Sequence, residues 1–375
     1  MGVVIKEVKN KKMLKEFVKF GNELYKDNQY YVPVLINDEI NNFDKVKNVN
    51  YKFTDGILFL AYQNDKIVGR ICGIINYRYN ELKNVKHVRY NTLDFIDDIE
   101  VSKALLDAVC KWGKDKGMDI LNGPLGITDC DRQGMLIEGF EQPGMYITYY
   151  NYPYYEKHMI EYGLKKDVDW NEYLIKVPEN DDNQIQRIKK VSDYIKNKME
   201  FKLVKPTKND IDKWIEPLFK IYNEAFAPLH GVTKLEKDQI DMYVKNYFSI
   251  INFDYISIVT NSNNELIGFA LLVPSLTKVM QETRGKLFPF GYLKLLNALN
   301  NPERLDMFWV AVSSEYQGKG INAILMMDII EKCQKNGVKY AETGPELEEN
   351  YKVQSMWDNF NAQKIRKRRC YIKNI

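Results

Sequence analysis

The chain has 375 residues, of which 45% are hydrophobic and 13% aromatic, enough apolar material for two domains. Its 54 basic and 51 acidic residues nearly cancel to a formal net charge of +3, so no nucleic-acid partner is expected. Five widely spaced cysteines without a CxxC pair predict neither a disulfide framework nor a metal site. No apolar run approaches the roughly 20 residues of a membrane span, and the N-terminus has no signal-peptide core. These features predict a cytoplasmic protein without a membrane partner.

Helical and strand periods alternate through the first half, as is typical of α/β proteins. Residues 57–62 and 67–75 are apolar and are joined by the polar residues 63–66, which predicts a β-hairpin. Helices are predicted over about 100–117 and 153–162. The first ends at Gly117 and the second is followed by Gly163. Between these helices a short strand is expected, and it leads into Gly123-Pro124.

The second half repeats this order. Residues 255–259 and 266–273 predict a second hairpin, and the strand 307–312 leads through a turn to a helix over 323–335. A strand then enters another Gly-Pro pair, a helix begins near Glu348, and a final strand covers 364–373. The dense basic run at 364–369 lies in that last strand and is expected to form a solvated edge.

Short sequence segments match between the halves, in addition to the order of the predicted elements. Gly69 and Gly268 occupy the same place in the second strand of each hairpin, and Gly117 and Gly337 each follow a long helix. A diverged tandem duplication explains both observations. The predicted division is a first domain over 1–178, a connecting helix over 179–198 and a second domain over 199–375.

The turn before the helix at 323–335 contains the most specific motif of the chain, Gln317-Gly318-Lys319-Gly320-Ile321-Asn322. Glycines permit a tight loop whose backbone N–H groups point inward, and the following helix N-terminus favours negative charge. The motif is neither a Walker loop nor a dinucleotide-binding fingerprint. It predicts a site for a phosphate or pyrophosphate, the alternative being a glycine-rich helix start without a ligand.

The motif resembles the Gln/Arg-x-x-Gly-x-Gly/Ala signature of the GNAT acetyltransferases, with Asn322 where glycine or alanine is usual. The resemblance implies two tandem GNAT-like domains of the α/β (α+β) class, each a mixed, largely antiparallel sheet flanked by helices. It also implies acetyl-CoA as co-substrate, with no metal. The loop would hold the pyrophosphate, and Val310 and Val312 would offer backbone groups to the pantetheine arm. Asn350 opens the last helix, as in the family.

A catalytic base and acid are expected near the end of the strand before the second Gly-Pro. Glu342 and Glu346 are the candidates for the base, although both could equally face solvent or cap the next helix. The family's usual tyrosine acid corresponds to Trp357, which cannot donate a proton for this purpose, and Tyr351 is a weak substitute. These departures leave open a catalytically degenerate protein that binds CoA or another ligand.

The acceptor is expected to be a small-molecule or peptide amine. His230 lies in a loop that could line its cleft or be a simple turn, and Arg284 and Lys286 lie in a long insert that could form a lid or an amphipathic helix over the core. Aminoacyl transfer from charged tRNA is a further alternative, which the missing basic face disfavours. In the first half, the segment 95–100 stands where a CoA loop belongs but has several acids and no glycine, so that half is predicted to be degenerate. The oligomeric state stays open.

Overall fold

A computed structural model describes residues 2–179, 182–247 and 250–375, with the side chains of Gln184 and Asn359 left aside. Its strands are β1 (Val4–Glu7), β2 (Thr54–Gln63), β3 (Lys66–Asn76), β4 (His87–Phe95), β5 (Ile120–Gly123), β6 (Met135–Glu138), β7 (Lys165–Lys176), β8 (Lys202–Val204), β9 (Ile256–Thr260), β10 (Leu266–Pro274), β11 (Arg304–Val312), β12 (Tyr340–Thr343), β13 (Glu346–Leu347) and β14 (Gln363–Asn374).

Its helices are α1 (Lys11–Leu24), α2 (Ile36–Asn42), α3 (Tyr77–Lys83), α4 (Ile99–Asp115), α5 (Tyr154–Glu161), α6 (Asn183–Met199), α7 (Asp212–Phe226), α8 (Lys237–Tyr247), α9 (Thr277–Thr283), α10 (Gly291–Asn300), α11 (Ile321–Asn336) and α12 (Tyr351–Trp357). Within the described residues, none of these helices is both long enough and apolar enough to cross a membrane.

The chain forms two compact units that are interleaved in sequence. The first comprises Met1–Asn171, Thr277–Phe288 and Ile365–Ile375, and the second comprises Glu172–Leu276 and Pro289–Lys364. Each unit contains a mixed, largely antiparallel sheet flanked by helices, which confirms the predicted fold class. The evolutionary division at residues 178 and 199 stays a prediction.

The two units share one strand-and-helix order. In the first, β2, β3 and β4 are antiparallel neighbours, and α4 crosses to β5, which lies parallel to β4. In the second, β9, β10 and β11 are antiparallel neighbours, and α11 crosses to β12, parallel to β11. The predicted hairpins and long helices are therefore confirmed in both halves.

The repeated glycines have a shared packing role. A Cβ atom on Gly69 would lie 2.8 Å from the Leu105 side chain of α4, and one on Gly268 would lie 2.8 Å from the Ile321 side chain of α11. Both distances are too short for carbon atoms in contact. Each glycine therefore lets the crossover helix approach its sheet, which supports the duplication.

A charged pair is buried in the first unit. Arg70 on β3 approaches Asp94 on β4 with an NH2–Oδ2 distance of 2.7 Å, and it also donates to the carbonyl oxygens of Phe17 and Val18 in α1. Tyr25 donates a further hydrogen bond of 2.8 Å to Asp94 Oδ1. The pair ties α1 to the sheet.

The expectation of a solvated basic edge at 364–369 is wrong. Arg366 and Arg368 are buried, and their guanidinium groups donate to backbone carbonyl oxygens of Pro143 and Tyr149, respectively. Alternation along β14 turns these two residues to one face, where the loop around residues 134–149 covers them. Sequence alone did not reveal that covering loop.

Candidate functional site

The glycine-rich turn lies between β11 and α11 in the second unit, as the sequence predicts. Gly318 and Gly320 adopt left-handed backbone conformations with φ of +74° and +80°. Gly320 is the N-cap of α11 and provides no side chain to cap the helix. Within the described part of the chain, no protein atom accepts a hydrogen bond from the amide N–H groups of Gly318, Gly320 or Ile321. Together with the helix dipole, these donors suit an anionic group.

The two glycines have different structural reasons. The positive φ of Gly320 favours glycine, and a Cβ there would also lie 2.3 Å from Ile195 Cδ1 of α6, so the end of that side chain would have to move. Nothing lies within 4 Å of a Cβ on Gly318, which faces open space. Gly318 is therefore the position where an added side chain tests the loop without disturbing the core.

The other side chains of this turn contact neighbouring groups of the protein. Gln317 Nε2 donates to the Val312 carbonyl oxygen at 3.4 Å, and the Lys319 ammonium lies 4.6 Å from the centre of the Tyr316 ring. Asn322, the departure from the family signature, contacts Met356 Sδ of α12 through Nδ2 at 3.2 Å. Its side chain thereby joins the start of α11 to α12.

The pairing between β11 and β12 ends near this turn. β11 and β12 run in register from Arg304 and Tyr340 as far as Met307 and Thr343. Beyond that point, within the described residues, residues 309–312 pair with β10 alone. One backbone edge of β11 is left without a strand partner, and it contains Val310 and Val312. This opening begins next to the N-terminus of α11.

Glu346 lies just beyond the end of β12, and Trp357 of α12 holds it. The indole Nε1 donates to both carboxylate oxygens, at 3.0 Å and 2.9 Å. Burial raises the pKa of Glu346 to about 7, and the hydrogen bond from Trp357 offsets part of that shift. Met356, the residue before Trp357 in α12, contacts Asn322 at the start of α11, so α12 connects the residue that holds Glu346 with the helix that follows the glycine turn.

The other predicted catalytic and helix-start residues have separate positions. Glu342 is buried in β12 and forms an ion pair with Arg304, which occupies its carboxylate. Tyr351 is 73% exposed at the first turn of α12, and Asn350 is the N-cap of that helix without a side-chain capping bond. Glu346 is half-buried, accepts both hydrogen bonds from Trp357 and has a raised pKa, so it is the candidate base among the three predicted catalytic residues.

The predicted acceptor residues belong to different units. His230 is half-buried in the loop after α7 of the second unit. Arg284 and Lys286 are exposed and follow α9 in a segment that belongs to the first unit. Their role in acceptor binding stays a prediction.

The sequence did not reveal the hydrogen bond between Trp357 and Glu346. The two residues are eleven positions apart, a spacing that belongs to no local motif, and Trp357 is noticeable only as the residue at the tyrosine acid position. Their contact depends on the fold of α12 against β13.

In the first unit the corresponding position is filled by the protein's own side chains. Asp98 caps α4 and accepts a hydrogen bond of 2.9 Å from the Glu100 N–H, so a carboxylate occupies the helix N-terminus. Tyr155 accepts from the Phe95 N–H at 3.0 Å, and Tyr154 donates to the Phe95 carbonyl oxygen. An anion would meet repulsion and occupied backbone groups there, which agrees with a degenerate first half.

Comparison with known families bears on the second half of the chain. Residues 215–360 match the model of the acetyltransferase (GNAT) family. That range includes the glycine turn, the separated strands and the contact between Trp357 and Glu346.

Similar proteins cover most of the chain. Protein YghO of Escherichia coli (strain K12) is 25% identical over 377 residues, which is 98% of this chain and 94% of YghO. A bacterial ceramide synthase of Caulobacter vibrioides is 22% identical over 290 residues, covering 77% of this chain and 74% of that protein. A solved tandem GNAT protein from the clavulanic acid biosynthesis pathway superposes with a TM-score of 0.58 at 9% identity, covering 99% of this chain and 98% of that one. This last likeness concerns the fold.

Proposed function

We propose that this chain, whose residues 215–360 match the model of the GNAT acetyltransferase family, is a two-domain GNAT protein that transfers an acyl group from acyl-CoA to an amine. We take acetyl-CoA as the donor, following the family resemblance. The observation that carries the proposal is the turn at Gly318 and Gly320, whose donors open beside the separated strands β11 and β12.

The second unit has the parts that a CoA thioester needs. The amide N–H groups of the turn and the positive end of α11 would hold the pyrophosphate. The unpaired edge of β11, at Val310 and Val312, would hydrogen-bond to the pantetheine amides. A backbone N–H on that edge would also stabilise negative charge on the thioester oxygen as the amine attacks.

Glu346 would accept the proton that the amine loses. The amine nitrogen forms a bond to the carbonyl carbon, the carbon–sulfur bond breaks, and its electron pair leaves on the thiolate. The proton goes from nitrogen to the Glu346 carboxylate, whose pKa of about 7 suits a base at neutral pH. Trp357 fixes this carboxylate, and the departing thiolate takes its proton from water because the indole N–H is not acidic enough.

A second candidate acceptor follows from one relative. The Caulobacter protein is named a ceramide synthase, and a ceramide is made by N-acylation of a long-chain amino alcohol. The same acyl transfer with a longer acyl chain and a lipid amine is therefore the alternative to a small acceptor.

The experiment compares Gly318→Asp with Gly318→Asn by calorimetric titration with acetyl-CoA and CoA. The two side chains have the same size, both tolerate a positive φ, and nothing lies within 4 Å of the new Cβ. Only the aspartate puts a like charge beside the phosphates, which costs about 1–4 kcal/mol at short range. The aspartate variant should bind at least roughly fivefold more weakly than the asparagine variant.

Turnover is then measured as release of free CoA thiol with a panel of amines that includes a long-chain amino alcohol. Release that depends on one amine identifies the acceptor class. Absence of acetyl-CoA binding in the unmodified chain would refute the proposal, as would equal binding by the two Gly318 variants.

A further inference from the structure

Helix α10 in the second unit displays apolar side chains to solvent. Leu295, Ala298 and Leu299 recur at helical spacing and are half-buried, so they form the face that packs on the protein. None of the ten residues of this helix is fully buried. The apolar character continues beyond the packed face.

The exposed apolar residues form one patch, which we call the α10 patch. Phe290 is 74% exposed, Leu293 52%, Leu296 50% and Tyr292 42%. Tyr292 and Leu296 lie one turn apart, and Leu293 lies next to them on the helix surface. Single exposed leucines are ordinary, but four large apolar side chains within seven residues mark an interaction surface.

Between Glu282 and Glu303, the charged residues of the segment that contains the patch are all basic. Residues 283–302 contain Arg284, Lys286 and Lys294 and no aspartate or glutamate. Lys294 is exposed within α10 itself. Aromatic and leucine side chains beside lysines and arginines, without acids, are typical of helices that lie in the interface of an anionic bilayer.

We propose that the α10 patch docks the protein on an anionic lipid surface. Phe290, Tyr292, Leu293 and Leu296 enter the boundary between headgroups and acyl chains, and Lys294 remains among the phosphates. The absence of acids favours lipid over a second copy of this chain, whose surface carries both signs of charge. The expectation of no membrane partner rested on the lack of a spanning segment, which surface docking does not require. The proposal is independent of the acyl-transfer reaction.

The test is cosedimentation of the full chain with vesicles of phosphatidylcholine, with and without phosphatidylglycerol. The unmodified protein should bind the anionic vesicles more strongly than the neutral ones. The double variant Leu293→Ser/Leu296→Ser should lower partitioning roughly tenfold or more, because two leucine side chains no longer leave water. Lys294→Glu should lower partitioning on the anionic vesicles alone, also roughly tenfold.

The matched control is Val191→Ser/Tyr194→Ser on α6, where Val191 is 50% and Tyr194 61% exposed. It removes similar exposed apolar area in the same unit and should leave vesicle binding unchanged. Far-ultraviolet circular dichroism checks that each variant is folded. No binding of the unmodified chain to anionic vesicles, or equal loss in the control, would overturn the proposal. The proposal would also be overturned if the unmodified chain self-associates without binding vesicles and the leucine variant does not self-associate.

Discussion

Replacement of Trp357 by phenylalanine should move the titration of Glu346 to higher pH. The indole Nε1 is the group that donates to both carboxylate oxygens, at 3.0 Å and 2.9 Å. This bond favours the ionised form, and burial favours the neutral one. Without the donor, burial acts unopposed, so the pKa must rise above its present value of about 7.

The size of the shift follows from the kind of bond that is lost. A hydrogen bond to a charged group is worth about 1.5–3 kcal/mol, and one pKa unit corresponds to about 1.36 kcal/mol. The pKa should therefore rise by about one to two units. If Glu346 is the base, the rate at pH 7 should fall by about 5- to 50-fold, because less carboxylate is ionised, and the rate at high pH should recover.

The primary assay is an infrared pH titration of the carboxyl band, with Glu346→Gln as the blank that removes this group. It needs no knowledge of the acceptor. Trp214→Phe in α7 serves as the control, because it also removes a buried indole from the second unit but leaves the carboxylate bond intact. An unchanged titration in the Trp357 variant, with folding preserved, would refute the assignment of Trp357 as the group that sets this pKa.

Two further predictions concern stability. Because the folded-state pKa of Glu346 is raised from 4.5 to about 7, wild type loses stability as pH rises through that interval. Glu346→Gln should therefore match wild type near pH 4 and exceed it by up to about 3 kcal/mol at pH 8 in urea unfolding, and equal stability at both would contradict this. Arg70→Met should lower the free energy of unfolding by about 3–5 kcal/mol, because it leaves the buried Asp94 without its partner. Lys111→Met, in the exposed pair with Asp115, should lower it by under about 1 kcal/mol. Similar losses in the two variants would refute the reasoning.

Local sequence patterns were sufficient for the hairpin and the long helix of each half. The turn at Asn64 and Asp65 between β2 and β3, and the end of α11 before Gly337, follow from residues close together in the chain. The glycine turn could be placed between a strand and a helix for the same reason, because φ preferences and hydrophobic period are properties of short segments.

The sequence was less informative where contacts join distant segments. The basic run in β14 gives no sign that Arg366 and Arg368 are covered by a loop more than two hundred residues away. Nothing near Gly320 predicts that Ile195 lies against it. Glu342 and Glu346 look equivalent in sequence, yet one is paired with Arg304 and the other is held by Trp357.

The sequence by itself therefore determined the hairpin and the long crossover helix of each half, and it placed the glycine turn between a strand and a helix. Only the tertiary structure decided which carboxylate pairs with Arg304 and which one accepts from Trp357 and has a raised pKa, and that the first half fills its own helix N-terminus with Asp98. The physical reason is how far apart along the chain the interacting residues lie. Backbone conformation and amphipathic period depend on neighbours in the chain, whereas desolvation and hydrogen bonding of a side chain depend on segments that folding brings together.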